Sequence, residues 1–597
     1  MNTTNQSLYK ILNRLWAYID PRRRVQLGCL FILMVFASLA EVISIGAVLP
    51  FLSALTAPDV IFNHKDVLPF LQYLDITHPQ DLLFPLTVCF SVAVVLSALM
   101  RLLLLWVQTR LSHNIGADFS LNIYRRTLYQ PYAVHVSRNS SEVIAGISNK
   151  ANSIIYSALF PVLNIISSFM MLVMILGALI FISPTVALVT IVGFGSIYGI
   201  IIMLTRKRLA QDSLRSSQET TQVIKALQEG LGGIRDVLID GTQKTYCQIY
   251  RNADLPLRRA QANIVIVGGT PRFGIEALGM IFIAVIAYLQ TTNSEQGGSM
   301  TVPVLGALAL GAQRLLPVLQ QAYYSWTTMK GGEVYLRDTL DLLDQPLPVY
   351  ADEPVSDAIQ FNINISLDSV CFRYTPESPL VLDNLNLVIP KGARVGFIGV
   401  TGSGKSTVLD IIMGLLKPSS GNLMIDGVNI SQKNYRSWQA HIAHVPQAIY
   451  LADATILENI AFGIPFDEID YVRVQEAANK AQIAKSIESW DKQYLTKVGE
   501  RGVRLSGGQR QRIGIARALY KKADVIVFDE ATSALDNHTE SEVMTAIEGL
   551  GRDLTIIIVA HRLTTLKSCS RIFELDAGTV KRIGSYHEIV EKIDENH

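Results

Sequence analysis

Six stretches of roughly 20 or more residues, nearly empty of charge and all ahead of residue 330, constrain this 597-residue chain more than any other feature. A helix rising 1.5 Å per residue needs roughly 20 apolar residues to cross the ~30 Å hydrocarbon core of a bilayer. The stretches lie near 25–55, 84–108, 155–183, 184–204, 264–290 and 301–326. The third and fourth meet at Ser183-Pro184 with no charge between them, which makes a tight hairpin of two spans. The expected fold therefore begins with an α-helical transmembrane domain of six spans over 1–343.

Composition narrows the class further. Charged residues make up 17% of the chain, below the roughly one quarter usual for soluble domains, which argues against an ordinary cytosolic enzyme. Lysine and arginine number 52 against 51 acidic residues, a net charge of +1 that carries no footprint for nucleic acid, and 49% hydrophobic residues exclude a disordered chain. Basic residues nonetheless cluster by side. Arg14, Arg22, Arg23 and Arg24 precede the first span; Arg110, Arg125, Arg126, Arg138 and Lys150 follow the second; a still denser group from Arg206 to Arg259 follows the fourth. The outer connections hold only Lys65 and, between spans five and six, no positive charge. The positive-inside rule then puts both termini in the cytoplasm. The first 25 residues are too polar for a cleaved signal peptide, and Leu8, Ile11, Leu12 and Leu15 fit an amphipathic helix on the inner surface. Cys29, Cys89, Cys247, Cys371 and Cys569 show no CxxC spacing, so neither a disulfide framework nor a zinc site is indicated.

Prolines and acidic residues mark 344–359 as a linker, and beyond it short β-branched runs alternate with polar helical stretches. This pattern predicts a soluble α/β domain over 360–597. Within it, Gly399-Val-Thr401-Gly402-Ser403-Gly404-Lys405-Ser406-Thr407 follows an apolar strand and opens a helix, the context a P-loop requires. Its backbone N–H groups suit the β-phosphate, Lys405 neutralises the β- and γ-phosphates, and the Ser406 hydroxyl suits Mg²⁺. Val525-Ile-Val-Phe-Asp529-Glu530 is an apolar strand ending in two carboxylates, Asp529 suited to Mg²⁺ and Glu530 to a general base that polarises the attacking water. Without the P-loop, such an acidic pair reads as a helix cap.

Leu505-Ser506-Gly507-Gly508-Gln509, followed by Arg510-Gln-Arg-Ile-Gly-Ile-Ala-Arg517, brings a second anion site at a helix start. With the P-loop, it resembles the signature of an ATP-binding cassette, and the whole chain resembles a half-size exporter of that superfamily, six spans followed by one cassette. The resemblance implies two cassettes head to tail, most simply in a homodimer, with each ATP between Lys405 of one chain and Ser506 of the other. It also implies that Tyr374 stacks on adenine, that Gln447 touches Mg²⁺ and the γ-phosphate, that Asp536 links the two ATP sites and that His561 contacts the γ-phosphate. A strand-edge tyrosine and a structural histidine are the plainer readings of Tyr374 and His561. Gly499-Glu-Arg-Gly502 is similar to the loop that meets coupling helices, and the turns near Pro131-Tyr132 and Gly230-Leu-Gly-Gly-Ile234 resemble those helices. ATP and Mg²⁺ are the implied cofactors, and the inner membrane of a bacterium is the implied site.

For the cargo, Arg101, Arg272 and Arg314 fall inside spans, where each charge costs roughly 2.5 to 3.5 kcal/mol. Counted from the outer ends of their spans, all three lie about 20 to 27 Å down, a ring suited to phosphate or pyrophosphate. The bland readings are an Arg272–Glu276 pair on one helix face and an Arg101 that snorkels to the inner interface. Residues 63–74 read as a short outer amphipathic helix. With Glu41-Val-Ile-Ser-Ile-Gly-Ala-Val-Leu-Pro50 and Gly311-Ala-Gln-Arg-Leu-Leu-Pro317, they resemble the flippases for lipid-linked oligosaccharides. The expected partners are a second half-transporter, membrane lipid and an anionic lipid-linked substrate, not nucleic acid. An exporter of peptides or amphiphilic drugs, and an ATP-gated channel or regulatory subunit, are the alternatives.

Overall fold

The structure, a computed structural model, describes residues 8–56, 62, 78–137, 151–182, 184–293, 301–348, 351, 359–530, 540–542, 545, 549, 553–560 and 563–591. Two compact units emerge: Met1–Gln130 with Arg138–Leu347, and Pro131–Ser137 with Pro348–His597.

The first unit is helical. Helix α1 (Leu8–Ala17) buries Ile11 and Leu15. Pro21 opens α2 (Pro21–Gly46), where its fixed φ and missing N–H cost nothing, and α3 (Val48–Thr56) follows after a one-residue break. Then come α4 (Leu83–Leu128), α5 (Tyr132–Ser137, assigned to the second unit), α6 (Phe160–Ile182), α7 (Pro184–Gly232), α8 (Gln243–Asn293), α9 (Thr301–Gly331) and α10 (Glu333–Leu343). Among the described residues, Pro21–Leu52, Leu83–Leu128 and Asn152–Ala178 are long and apolar enough to cross a membrane. Helices α7, α8 and α9 occupy the stretches where the remaining spans are expected. At 1.5 Å per residue, the 46, 49 and 51 residues of α4, α7 and α8 make rods of about 70 Å, more than twice a hydrocarbon core. The expected turn at 131–132 falls between α4 and α5, and that at 230–234 where α7 gives way to a short helix, Ile234–Ile239. The expected outer helix at 63–74 lies outside the described residues.

Polar bonds tie the apolar helices together, as they do where no water competes. Gln108 of α4 donates to Asn164 of α6 at 2.7 Å, and Arg101 of α4 meets Glu41 of α2 at 3.1 Å. At the end of the unit, Asp344 after α10 accepts from Arg14 and, at 2.6 Å, from Tyr18, which anchors α1 to the segment that leaves α10.

The second unit holds two sheets. One is antiparallel, in the order β2-β1-β4-β5, built from β1 (Asn364–Phe372), β2 (Leu382–Pro390), β4 (Ser420–Ile425) and β5 (Val428–Asn429). The other runs β10-β9-β3-β8-β7-β6, from β3 (Arg394–Ile398), β6 (Ile442–Val445), β7 (Val525–Asp529), β8 (Thr555–Val559), β9 (Arg571–Asp576) and β10 (Thr579–Gly584). All its pairings are parallel except β9 with β10. Parallel strands covered on both faces read as continuous apolar runs, and every residue of Thr555–Val559 is buried. Trp438, fully buried, joins the core shared by both sheets and donates from its indole nitrogen to Ile412 O at 2.7 Å.

Candidate functional site

The carboxyl ends of β3, β8, β7 and β6 lie side by side, where open α/β sheets place their ligand sites. Gly399 follows β3, Glu530 follows β7, and Gln447 stands two residues past β6. The stretches holding His561 and Asp536 lie outside the described residues.

Gly399 leaves β3 with φ +149°, and a Cβ there would sit 2.3 Å from Leu575 O, so the backbone passes where no side chain fits. Gly404, at φ +97°, caps helix α11 (Lys405–Ile412). The loop between them, with Thr401, Gly402 and Ser403, closes around Lys405, whose buried ammonium donates to Gly399 O at 2.7 Å and Val400 O at 3.1 Å. Ser406 is exposed at the start of α11. The Tyr374 hydroxyl lies 3.3 Å from the Thr407 hydroxyl, and its half-exposed ring stands edge-on to Phe372 at 5.0 Å, a platform beside the loop.

Glu530 takes a left-handed φ of +50°, held by its N–H on Val559 O, and conformations of this kind concentrate at functional sites. Its carboxylate accepts from the Gln447 amide nitrogen at 2.6 Å, a contact that sequence reasoning missed because the adjacency of β6 and β7 is not written in either segment. Burial first, then the neighbouring Glu530 charge, raises the Asp529 pKa, with Lys405 opposing. The oxygen donors Ser406, Asp529 and Gln447 suit Mg²⁺, which takes one or two protein oxygens plus phosphate rather than an all-protein cage.

Asp410, a lone carboxylate in the otherwise apolar run of α11, is a second residue missed from sequence. Burial, helped by the Asp529 charge, pushes it from 3.8 up to about 6. An acid raised on folding leaves stability untouched below pH 3.8 and lowers it progressively up to about pH 6, with the loss persisting above. Asp410→Asn should therefore raise the melting temperature of the second unit at pH 7.5 by roughly 2–4 °C, a modest gain because the group is only half-buried. The gain should shrink as the pH falls below 6 and vanish below about pH 3.8 in the same thermal scan, and a pH-independent difference would contradict it. Beside Asp410 and Tyr374 lies Tyr132 of α5, whose phenol is pushed up by burial and these two neighbours.

Ser506 caps helix α13 (Gly507–Lys521), and α12 (Ile456–Ile460), itself capped by Thr455, packs on it. The Ser506 hydroxyl accepts from Gln509 N at 3.2 Å, and the Gln509 side-chain oxygen Oε1 accepts from Ser506 N at 2.9 Å. This reciprocal box fixes the loop and leaves the N–H groups of Gly507 and Gly508 for an anion.

Of the three arginines, Arg101 sits on α4 against Glu41. Arg272 is exposed on α8, as is Glu276. Arg314 lies in α9, with its side chain outside the description.

Comparison with known proteins agrees with this anatomy. The family model described as "ABC transporter" matches residues 382–533, and "ABC transporter transmembrane region" matches 27–315. The ATP-dependent lipid A-core flippase of Hahella chejuensis is 27% identical over 489 residues, 82% of each chain. That of Haemophilus influenzae is 26% identical over 495 residues, again 82% of each. A solved structure of a bacterial Atm1-family ABC exporter with ATP bound superposes with a TM-score of 0.78 at 24% identity, over 96% of this chain and 97% of that one. With helical and cassette family models in the order of its two units, the chain belongs to the ABC transporter family as a half-size exporter that hydrolyses ATP to drive transport.

Proposed function

We propose that this exporter flips an anionic lipid-linked oligosaccharide or related glycolipid from the cytoplasmic to the outer leaflet of a bacterial inner membrane. The carrying observation is Arg101, whose side chain stays 42% exposed although it lies in a strongly apolar helix. Arg272 and Arg314, at similar calculated depth on two other helices, extend the same basic character. Guanidinium groups grip phosphate or pyrophosphate in bidentate fashion, and relatives named for a lipid cargo support the choice of a lipid. The lipid tail stays in the bilayer while the headgroup enters between helices. The basic inner connections support a cytoplasmic cassette with both termini inside.

In the same reading two identical chains work together. Leu231 near the end of α7 and Leu238 and Ile239 on the short helix after it are exposed, as apolar residues that meet a partner would be. Each ATP lies between the P-loop of one chain, with Tyr374 on adenine and Gly399 to Thr407 around the phosphates, and Ser506 to Gln509 of the other. Lys405 neutralises phosphate charge, Glu530 takes the proton of the attacking water, Gln447 orients that carboxylate, and Asp536 and His561 complete the site. Ser406, Asp529 and Gln447 hold Mg²⁺, which would neutralise charge developing on the phosphates. Closing such a pair on ATP must supply about 5.5 kcal/mol to move the spans from 1:99 to 99:1.

The test is ATPase stimulation in phosphatidylcholine vesicles by polyprenyl-diphosphate saccharides and, separately, by hydrophobic cations. The saccharide lipids should stimulate, and replacing Arg101, Arg272 and Arg314 with glutamine should remove at least about ten-fold of the stimulated increment, about 1.4 kcal/mol or more. Stimulation by hydrophobic cations alone, or flipping retained in the triple variant, would sink the proposal.

A further inference from the structure

The cargo reading leaves one group unexplained, a carboxylate in the middle of the apolar helices. Glu41 of α2 has no exposed surface. Its Oε2 accepts from the Ser97 hydroxyl at 2.5 Å and lies 3.1 Å from Arg101 Nη2. Ser97 and Arg101 stand four residues apart on α4, so one face of that helix presents both groups to the same oxygen. A buried carboxylate is costly unless paired, and acids within membrane-spanning helices mark function by default.

The pair is lopsided. Glu41 is sealed, while Arg101 is 42% exposed along its side chain. A guanidinium has five N–H donors in a planar fork, and the contact with Glu41 runs through Nη2. Arg101 thus offers donors outward while a fixed negative charge stands behind it.

We propose that Glu41 is a positioning residue that weakens the grip of Arg101 on an anionic headgroup, so that the cargo both binds and leaves. A site on a transport path must hold its ligand well enough to admit it and loosely enough to release it. A bare arginine in a low-dielectric surround would hold a diphosphate too firmly, and the carboxylate behind it subtracts from that attraction. Ser97 shares the same oxygen and so draws part of its charge away from Arg101. The proposal rests on the anionic-lipid reading above.

Glu41→Gln keeps the shape and an oxygen acceptor but removes the charge. In phosphatidylcholine vesicles with a polyprenyl-diphosphate disaccharide, it should lower the half-stimulating lipid concentration at least ten-fold and slow maximal flipping. In an Arg101→Gln background the same change should shift that concentration less than two-fold, because the effect runs through the guanidinium. A merely structural Glu41 would instead lower thermal stability and weaken stimulation in both backgrounds. Should Glu41→Gln not fold, Ser97→Ala carries the test: it concentrates the carboxylate charge on Arg101 and should raise the half-stimulating concentration several-fold. A wild-type protein that responds to the disaccharide lipid, with variants whose half-stimulating concentration does not move, overturns the role of Glu41 alone. A wild-type protein deaf to that lipid yet stimulated by hydrophobic cations overturns the cargo reading, and this inference with it.

Discussion

Glu530→Gln should cut ATP turnover by about 10²–10⁴-fold, the range that a positioned general base contributes. The substitution is close to isosteric. The amide at 530 retains an oxygen for the Gln447 side chain, which now donates at 2.6 Å to the carboxylate, and the left-handed turn held on Val559 O does not depend on side-chain charge. What disappears is the capacity to accept a proton. Binding of ATP should survive and even tighten, because the charge that raises the neighbouring Asp529 is also gone. The expected phenotype is a protein that retains radiolabelled ATP through desalting and releases almost no phosphate. Phosphate release within a few-fold of wild type would remove Glu530 from the role of base and return the acidic pair to a structural explanation.

The second large effect is on stability. Trp438→Ala should destabilise the second unit by about 3–5 kcal/mol, the cost of truncating a buried aromatic side chain. Trp438 is fully buried, stands edge-on to Phe361 at 5.5 Å, and donates to Ile412 O, the last carbonyl of α11, at 2.7 Å. Its removal therefore opens a cavity and leaves a buried acceptor unmet. Set against a typical domain stability of about 5–15 kcal/mol, this takes about a fifth or more of the total. It corresponds to a fall of about 6–20 °C in the melting temperature of a unit this size. Trp438→Phe refills most of the volume but loses the N–H, so a drop of about 1–2 kcal/mol is expected from the hydrogen bond alone. A melting curve for Trp438→Ala within 2 °C of wild type, measured on the full chain, would contradict the packing described.

How much of this was readable from sequence depends on whether the information is local. The P-loop from Gly399 to Thr407 and the reciprocal cap from Ser506 to Gln509 are contiguous, and backbone rules alone specify their shapes. The long helices follow from composition, since an uncharged run has few other stable forms in a bilayer. Relations between distant segments were not readable. Sequence spacing offered Glu276 as the carboxylate for an intramembrane arginine, because four residues on one helix is a visible relation. Glu41, on another helix, meets Arg101, a relation that no spacing within one segment shows. Likewise the Gln447–Glu530 contact depends on β6 lying beside β7, which strand order fixes and neither motif records. Asp410 was passed over because burial, not spacing, is what makes it unusual.

The sheet order also bears on how the protein is made. β3, which leads into the P-loop, pairs with β8 on one side and β9 on the other, and both neighbours come from near the end of the chain. During synthesis the phosphate loop leaves the ribosome long before the strands that frame it, so its parent strand must wait with both edges unpaired. Non-local pairing of this kind is slow and exposes sticky edges. A nascent chain should acquire ATP binding abruptly, once Thr555–Val559 and Arg571–Asp576 have emerged, and until then its helices must insert without any help from nucleotide.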